Sequence, residues 1–186
     1  MYKVPSVLDD TTNNNQVFII DNSPSMRQYW PQVLRVLEVL AYITKEKDPN
    51  KLELYFIMKA GRFSGSSSTD LVAAARPRKA TDKTTGLSDV YPRIHDIFSD
   101  YKKNLERKSF LETSFRRPMS LYILTDGNWQ PQRDTEECIA QLARDLDMSD
   151  QYQVGIEFIY FGNDRDGRAR LEHLDDGLKE EFNLKW

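Results

Sequence analysis

The 186-residue sequence contains a single cysteine, Cys138. One cysteine cannot form an internal disulfide, so a core and hydrogen bonds must stabilise the fold. The longest apolar helical stretch, VLRVLEVLAYI, is interrupted by Arg35 and Glu38, which excludes it as a membrane span. The chain does not open with the basic and then apolar segments of a signal peptide. We therefore expect a cytoplasmic protein, although a domain excised from a larger secreted protein would share these features.

The sequence has no large excess of either charge, because 26 basic and 29 acidic residues give a net charge of only −3. This balance gives no reason to expect nucleic acid or a membrane surface as the main partner. The sequence also lacks a Walker loop, a G-x-S-x-G elbow, an H-E-x-x-H motif and a Rossmann glycine fingerprint. We expect a protein that is not an enzyme.

The sequence does contain alternating strand and helix patterns. Short apolar runs predict buried strands at residues 17–20, 52–58, 121–125 and 154–161. Apolar residues at three- and four-residue spacing predict helices at residues 30–44, 87–105, 135–146 and 168–178. Since parallel strands need crossover helices, the alternation predicts a doubly wound α/β fold, with a mostly parallel central sheet covered by helices on both faces.

Three segments give weaker signals. The low-complexity sequence GRFSGSSSTD, residues 61–70, predicts a loop. Residues 71–74 predict a weak strand at the edge of the sheet. The polar residues 1–16 predict a loosely held leader, which leaves 17–186 as one domain.

Oxygen-bearing side chains directly follow two predicted strands. Asp21, Ser23 and Ser25 follow the first strand, and Asp126 follows the strand at 121–125. In open α/β sheets, ligands bind beyond the carboxyl ends of the strands, where these side chains would meet. The loop TDKTTGLSD adds a further oxygen from Thr85. Carboxylate and hydroxyl oxygens are the ligands that Mg²⁺ and Ca²⁺ require, so the sequence predicts one divalent-cation site.

These three segments, in this order, resemble the signature of the von Willebrand factor A (vWA) domain and its metal-ion-dependent adhesion site (MIDAS). That signature is Asp-x-Ser-x-Ser after the first strand, Thr in the second loop and Asp after the fourth strand. The resemblance extends from about Gln16 to the C-terminus. It is closest to intracellular, fungal-type members, which share a late strand like VGIEFIYFGND and a helix ending like HLDDGL. Relatives usually continue into one more strand, so one expectation is a sheet that lacks its last strand.

The resemblance implies a site for Mg²⁺, or for Mn²⁺ or Ca²⁺. Ser23 and Ser25 would bind the cation directly, Asp21 and Asp126 would hold it largely through water, and Thr85 would bind in either way. A dication with mostly neutral inner ligands keeps positive charge and an open coordination position. The resemblance therefore implies a non-catalytic protein-binding module in which the cation engages an Asp or Glu side chain of a protein partner.

Two alternatives stay open on sequence grounds. The first is a Mg²⁺-dependent phosphatase or phosphotransferase, which would need a second Asp where Ser23 stands. The second is a structural subunit with a vestigial metal site. Two residues near the predicted site, Trp129 and Lys83, are candidates for partner binding, and local packing is the alternative for Trp129.

The remaining reactive side chains predict no second site. Cys138 lies in a helical pattern beside apolar residues, which predicts a buried and inert thiol. His95 and His173 are far apart in the sequence and lack the spacing of a metal-binding motif. We expect both histidines at ordinary surface or boundary positions.

Overall fold

Five strands form one central sheet. The computed structural model describes residues 14–47, 51–58, 61–81, 86, 88–109, 118–147 and 154–182. The strands are β1 (Asn15–Ile20), β2 (Leu52–Phe56), β3 (Arg62–Gly65), β4 (Met119–Thr125) and β5 (Val154–Tyr160). Their order across the sheet is β3-β2-β1-β4-β5. All neighbours are parallel except β3, which runs antiparallel to β2.

Six α-helices accompany the strands in the described residues. They are α1 (Trp30–Lys47), α2 (Ser68–Ala75), α3 (Tyr91–Ser109), α4 (Gln132–Asp147), α5 (Arg165–Glu172) and α6 (Leu178–Glu181). Short 3₁₀ turns at Ser25–Tyr29 and Arg76–Arg78 precede α1 and follow α2. A π-helical turn at His173–Gly177 joins α5 to α6, and these three elements together form the C-terminal helical segment. No helix in the described ranges is long and apolar enough to cross a membrane.

The two faces of the sheet carry separate apolar cores because alternate side chains of a strand point to opposite faces. In β1, Phe18 and Ile20 pack in the core that α1 and α2 cover. The neighbouring Val17 and Ile19 pack in the other core, under α3, α4 and the C-terminal helical segment. Every side chain of β4 is buried, as expected for a strand covered on both faces. The predicted doubly wound α/β fold, with helices on both faces, is confirmed.

The register places the carboxyl ends of β1 and β4 side by side. Ile20 is paired with Leu124, and the main-chain N–H of Asp21 donates to the carbonyl oxygen of Leu124 at 2.9 Å. The crossovers from β1 and from β4 leave in opposite directions, because β2 and β5 lie on opposite sides of this pair. The adjacent ends therefore form the crevice in which doubly wound sheets bind ligands.

The predictions for residues 61–70 and 71–74 were wrong. The first segment contains the edge strand β3 and the start of α2, and the second is part of α2 and not a strand. The local cause is a capping box: the Ser67 hydroxyl accepts from the Asp70 main-chain N–H, and the Asp70 carboxylate accepts from the Ser67 main-chain N–H. The Ser-x-x-Asp spacing was present in the sequence, but the serine-rich composition concealed it.

The outer strand β5 ends the sheet on one side. Among the described residues, no strand pairs with its free edge. The predicted leader at 1–16 overlaps the described residues only at 14–16, where β1 already begins at Asn15.

The capping box gives a direct test of why α2 forms. Ser67→Ala removes the hydroxyl that accepts the Asp70 N–H, so we expect a loss of about 1 kcal/mol in unfolding free energy by chemical denaturation. Ser66→Ala is the matched control, because Ser66 contributes its main-chain N–H to Asp70 and keeps it in the variant. Equal effects of the two substitutions would contradict the assignment.

Candidate metal centre

The carboxylate of Asp21 lies fully buried at the end of β1 and accepts hydrogen bonds from the turn that follows β1 and from β4. Its Oδ1 atom accepts a hydrogen bond from the main-chain N–H of Ser23 at 2.9 Å. Its Oδ2 atom accepts one from the Thr125 hydroxyl at 3.0 Å. Thr125 belongs to β4, so this second bond connects the ends of the two neighbouring strands. The orientation of Asp21 is therefore fixed from both sides.

Ser23 and Ser25 turn their hydroxyl groups toward each other in the turn after β1. Their Oγ atoms lie 2.9 Å apart. Between them, Pro24 has φ −56° and ψ −36°, which suits the fixed φ of a proline ring. Ser23 is buried, whereas Pro24 is exposed and Ser25 partly exposed. One side of the two hydroxyls therefore faces the protein and the other faces solvent.

Asp126 is the first residue after β4 and lies beside this turn. It is 6% exposed, and its Oδ1 atom accepts from the main-chain N–H of Asn128 at 3.0 Å. The following residue, Gly127, has φ +72° and donates its N–H to the Thr125 hydroxyl at 3.0 Å. The Thr125 hydroxyl thus accepts from the loop at residues 126–128, here called the Asp126 loop, and donates to Asp21. It therefore joins this loop to the turn at residues 21–25, here called the β1 turn.

Two carboxylates lie near each other at this end of the sheet, and the described residues supply no balancing basic group. Within the described ranges, no lysine, arginine or histidine forms an ion pair with Asp21 or Asp126. Burial raises the pKa of Asp21 to about 6 against the opposing hydrogen bonds, and the negative charge of Asp126 adds to the increase. An ionised Asp21 is therefore unfavourable here unless positive charge is supplied.

The donor set fits a hard divalent cation. The structure brings together four of the predicted ligands, namely Asp21, Ser23, Ser25 and Asp126, at the adjacent ends of β1 and β4. All four offer oxygen atoms, which Mg²⁺, Mn²⁺ and Ca²⁺ prefer. The predicted fifth ligand, Thr85, lies outside the described residues, as does the candidate partner-binding residue Lys83.

Trp129 is 0% exposed and stacks on Phe158 with ring centroids 6.2 Å apart. Of the two alternatives for Trp129, this burial favours local packing over partner binding. Cys138 is half-buried, and burial raises the pKa of its thiol to about 11, which keeps it protonated and unreactive.

Three supporting residues were not singled out from the sequence. Asn22 is buried, and its side chain forms hydrogen bonds with two distant segments of the main chain. Its amide nitrogen donates to the Arg78 carbonyl oxygen, and its amide oxygen accepts from the Met58 N–H. Ser88 lies 3.4 Å from Asp21 Oδ2, but its hydroxyl donates to the Asn128 carbonyl oxygen at the shorter distance of 2.8 Å. Thr125 is the third. A polar residue at the end of a buried strand was the available signal for Thr125.

The C-terminal helical segment supports the Asp126 loop from behind. Gly167 in α5 approaches the loop so closely that an added Cβ would lie 2.2 Å from the Asp126 carbonyl oxygen. Arg170 donates to the Gly127 carbonyl oxygen at 3.1 Å. The position of the Asp126 loop therefore depends on the packing of α5 against it.

Comparison with known proteins finds similarity at the level of structure. No protein-family profile and no curated protein matches the sequence. Proximal thread matrix protein 1 (PTMP1) from the mussel byssus is similar in structure, with a TM-score of 0.51 and 11% sequence identity. The aligned region includes 93% of this chain and 47% of PTMP1. This chain thus spans about half of that protein. The likeness supports the fold.

Two further solved structures are similar at lower scores. The TFIIH p34 N-terminal domain has a TM-score of 0.49 and 11% identity, over 90% of this chain and 99% of that one. Manganese-loaded TRAP protein of Plasmodium vivax has a TM-score of 0.46 and 12% identity, over 94% of this chain and 75% of that one.

Removing the charge of Asp21 should stabilise the metal-free protein. With a pKa near 6 in the folded state and 3.8 as the ordinary value, ionisation of Asp21 opposes folding, and stability is lost as the pH rises from 4 to 6. We expect Asp21→Asn, in chelator at pH 7.5, to raise the unfolding free energy by on the order of 1–2 kcal/mol. The gain should shrink below pH 6 and disappear near pH 4.

The control for this prediction is Asp100→Asn in α3, since the Asp100 side chain is 72% exposed. It should leave the pH dependence of unfolding unchanged. A metal-free Asp21→Asn protein that is less stable than the parent at pH 7.5 would contradict the account of Asp21 as an unbalanced buried charge.

The close approach of α5 to the site can be tested with one methyl group. Gly167→Ala places a Cβ against the Asp126 main chain, so α5 or the loop must move, at a cost of roughly 1–3 kcal/mol in unfolding free energy. Arg168→Ala is the control, because Arg168 is the next residue of the helix and its side chain is exposed. This substitution should change the unfolding free energy by only a few tenths of a kcal/mol. Denaturant titration of both variants measures this, and similar stabilities would refute the close contact.

Proposed function

We propose that this chain is a vWA domain that binds a protein partner through a divalent cation. The observation that carries the proposal is the arrangement at the ends of β1 and β4. A buried Asp21 carboxylate without a basic partner in the described chain lies beside the Asp126 loop and next to the paired hydroxyls of Ser23 and Ser25. A dication would balance the negative charge of the two carboxylates, for which the described residues supply no basic partner.

The roles of the residues follow from their positions. Ser23 and Ser25 would contact the cation with neutral hydroxyl oxygens. Asp21 and Asp126, each already accepting hydrogen bonds from main-chain or hydroxyl groups, would hold it largely through water. Thr85 would bind the cation directly or through water, a role that we assign to it from the sequence pattern alone. When bound, the cation would offer an open coordination position and residual positive charge to an incoming carboxylate.

The partner would approach from the solvent side of the β1 turn. Pro24 and Ser25 are the parts of this turn that reach solvent, whereas Asp21 and Ser23 are covered. An Asp or Glu side chain is the ligand that fits a hard cation with a free position. Mg²⁺ is the proposed ion, and Mn²⁺ and Ca²⁺ are the alternatives. We propose the cytoplasm as the location of the protein.

A catalytic role has less support. A phosphatase of the aspartyl-phosphate type needs an acid/base carboxylate two residues after Asp21, and that position is Ser23. The hydroxyl of Ser23 faces Ser25, and its N–H donates back to Asp21. We therefore propose a binding module and not an enzyme.

Cation binding is measured by isothermal titration of the chelator-treated, tag-free protein with Mg²⁺ and with Mn²⁺. We expect one site in the parent, weakened at least tenfold in Asp126→Asn and unchanged in the exposed Asp100→Asn control. A parent protein that binds neither ion would favour the alternative of a structural subunit with a vestigial site.

Partner chemistry is a separate measurement on the same protein. Peptides selected from a random display library in Mg²⁺ should contain Asp or Glu and should be released by chelator. Replacing that acid by its amide should abolish capture. If capture persists in chelator, or tolerates the amide, binding does not pass through the cation.

A further inference from the structure

A second cluster of metal-binding side chains lies away from the β1–β4 crevice. Glu136 of α4, His173 of the π-helical turn and Glu181 of α6 each present one ligand atom, and these three atoms lie within 4.8 Å of one another. The sequence indicated an ordinary surface or boundary position for His173, because it is far from His95 in the sequence and lacks the spacing of a metal-binding motif. The fold brings the residues together, with His173 at the expected boundary position, its side chain 35% exposed.

We propose that Glu136, His173 and Glu181 form a binding site for Zn²⁺ that is chemically distinct from the all-oxygen site. Three protein ligands of nitrogen and carboxylate type, with a water in the fourth position, are a common donor set for zinc. An imidazole nitrogen is a poor ligand for Mg²⁺ or Ca²⁺ and a good one for zinc. The two sites should therefore select different ions.

Two of the three distances in the cluster are close to those around a zinc ion, and the third lies within 4.8 Å. Bonds of about 2.0–2.1 Å in tetrahedral geometry place neighbouring ligand atoms roughly 3.3 Å apart. The His173 Nε2 atom lies 3.1 Å from Glu181 Oε2 and 3.7 Å from Glu136 Oε1. These two separations lie on either side of the tetrahedral value. Small side-chain adjustments would therefore complete the coordination.

The His173 ring lies directly against Gly177. A Cβ added at Gly177 would lie 2.1 Å from His173 Nδ1, so the ring occupies the space that a side chain at position 177 would fill. The π-helical turn spans His173 to Gly177, and the N–H of Leu178 donates to the His173 carbonyl oxygen. Single π turns inside α-helices are frequent at functional sites. Glycine at 177 is thus the residue that leaves the ring in this position.

The two carboxylates are also oriented by neighbours. Gln132 donates from Nε2 to Glu136 Oε1 at 2.6 Å, one turn earlier on α4. The Arg133 guanidinium pairs with Glu181 through Oε1, which leaves Oε2 facing the histidine. Such outer contacts fix the direction of metal ligands and support affinity. Glu136 is buried, whereas the His173 and Glu181 side chains are 35% and 37% exposed, so an ion can reach the cluster from solvent.

The competing explanation is an ion-pair network that needs no metal. Arg133 supplies one positive charge to the cluster, and a protonated His173 would supply another. This network and a zinc site make different predictions for added Zn²⁺, so the test can separate them. Bound zinc would join α4 to the C-terminal helical segment, whose first turn supports the Asp126 loop.

The test is a titration of the tag-free, chelator-treated chain with Zn²⁺ in excess Mg²⁺, followed by calorimetry. We expect one Zn²⁺ per chain, and an affinity at least tenfold lower in His173→Gln. The chain contains one other histidine, His95, with a side chain 53% exposed on α3. His95→Gln is therefore the matched control and should bind zinc like the parent.

Gly177→Ala provides a second variant that removes no ligand. Position 177 has φ −84°, which alanine adopts freely, so the fold should tolerate the change. The new methyl group displaces the His173 ring, and zinc affinity should fall although every ligand is still present. Ring-nitrogen resonances of the parent protein give an independent readout, since zinc should shift those of one histidine, and His95→Gln identifies which.

Several results would overturn the proposal. They are no zinc binding by the parent, equal losses in His95→Gln and His173→Gln, or full affinity in Gly177→Ala. Loss of zinc binding in Asp21→Asn would place the ion at the ends of β1 and β4 instead. Titration of His173→Gln with Mg²⁺ tests the two proposals separately. The Mg²⁺ affinity of this variant should equal that of the parent, whatever the result of the zinc titration.

Discussion

The hydrogen bond from the Thr125 hydroxyl to the buried carboxylate of Asp21 connects the two halves of the crevice. It joins the end of β1 to the end of β4, and the same hydroxyl accepts from the N–H of Gly127 in the Asp126 loop. Two acidic loops that would otherwise repel each other are thereby held side by side. The arrangement leaves Asp21 with hydrogen bonds but without a basic partner among the described residues, which is the electrostatic condition under which a cation stabilises the fold.

The sheet order and the helices on its two faces keep this junction in place. Parallel pairing between β1 and β4 brings Asp21 level with the last residues of β4, and the opposite crossover directions leave the crevice open above them. Behind the crevice, Gly167 allows α5 to approach the Asp126 main chain, and Arg170 fastens the loop from the same helix. The Asp126 loop of the candidate metal site is therefore positioned by residues of α5 that provide none of the proposed ligand atoms.

Much of this could be predicted from the sequence because the relevant signals are local. Buried strands read as apolar runs, and an acidic residue directly after such a run falls at the carboxyl end of its strand. Asp21 and Asp126 were found in this way. The edge strand β3 and helix α2 were missed, since the composition around Ser67 is typical of a loop and only the capping spacing to Asp70 indicates a helix.

The contacts that the sequence did not predict are those that depend on tertiary packing. The full burial of Trp129 follows from its stacking on Phe158 of β5, which is distant in the chain. His173 approaches Glu136 only after the C-terminal helical segment has packed beside α4. Neither distance can be obtained from spacing along the sequence. The donor type of a residue is visible in the sequence, whereas the set of donors that meet is a property of the fold.

The central claim is that a divalent cation lies between the β1 turn and the Asp126 loop. Anomalous diffraction from crystals grown with Mn²⁺ measures this most directly, because the ion scatters anomalously and the protein oxygens do not. The account predicts a single peak at the mouth of β1 and β4, within coordination distance of the Ser23 and Ser25 hydroxyls. An anomalous map without a peak there, or electron density for a lysine ammonium in that position, would contradict it.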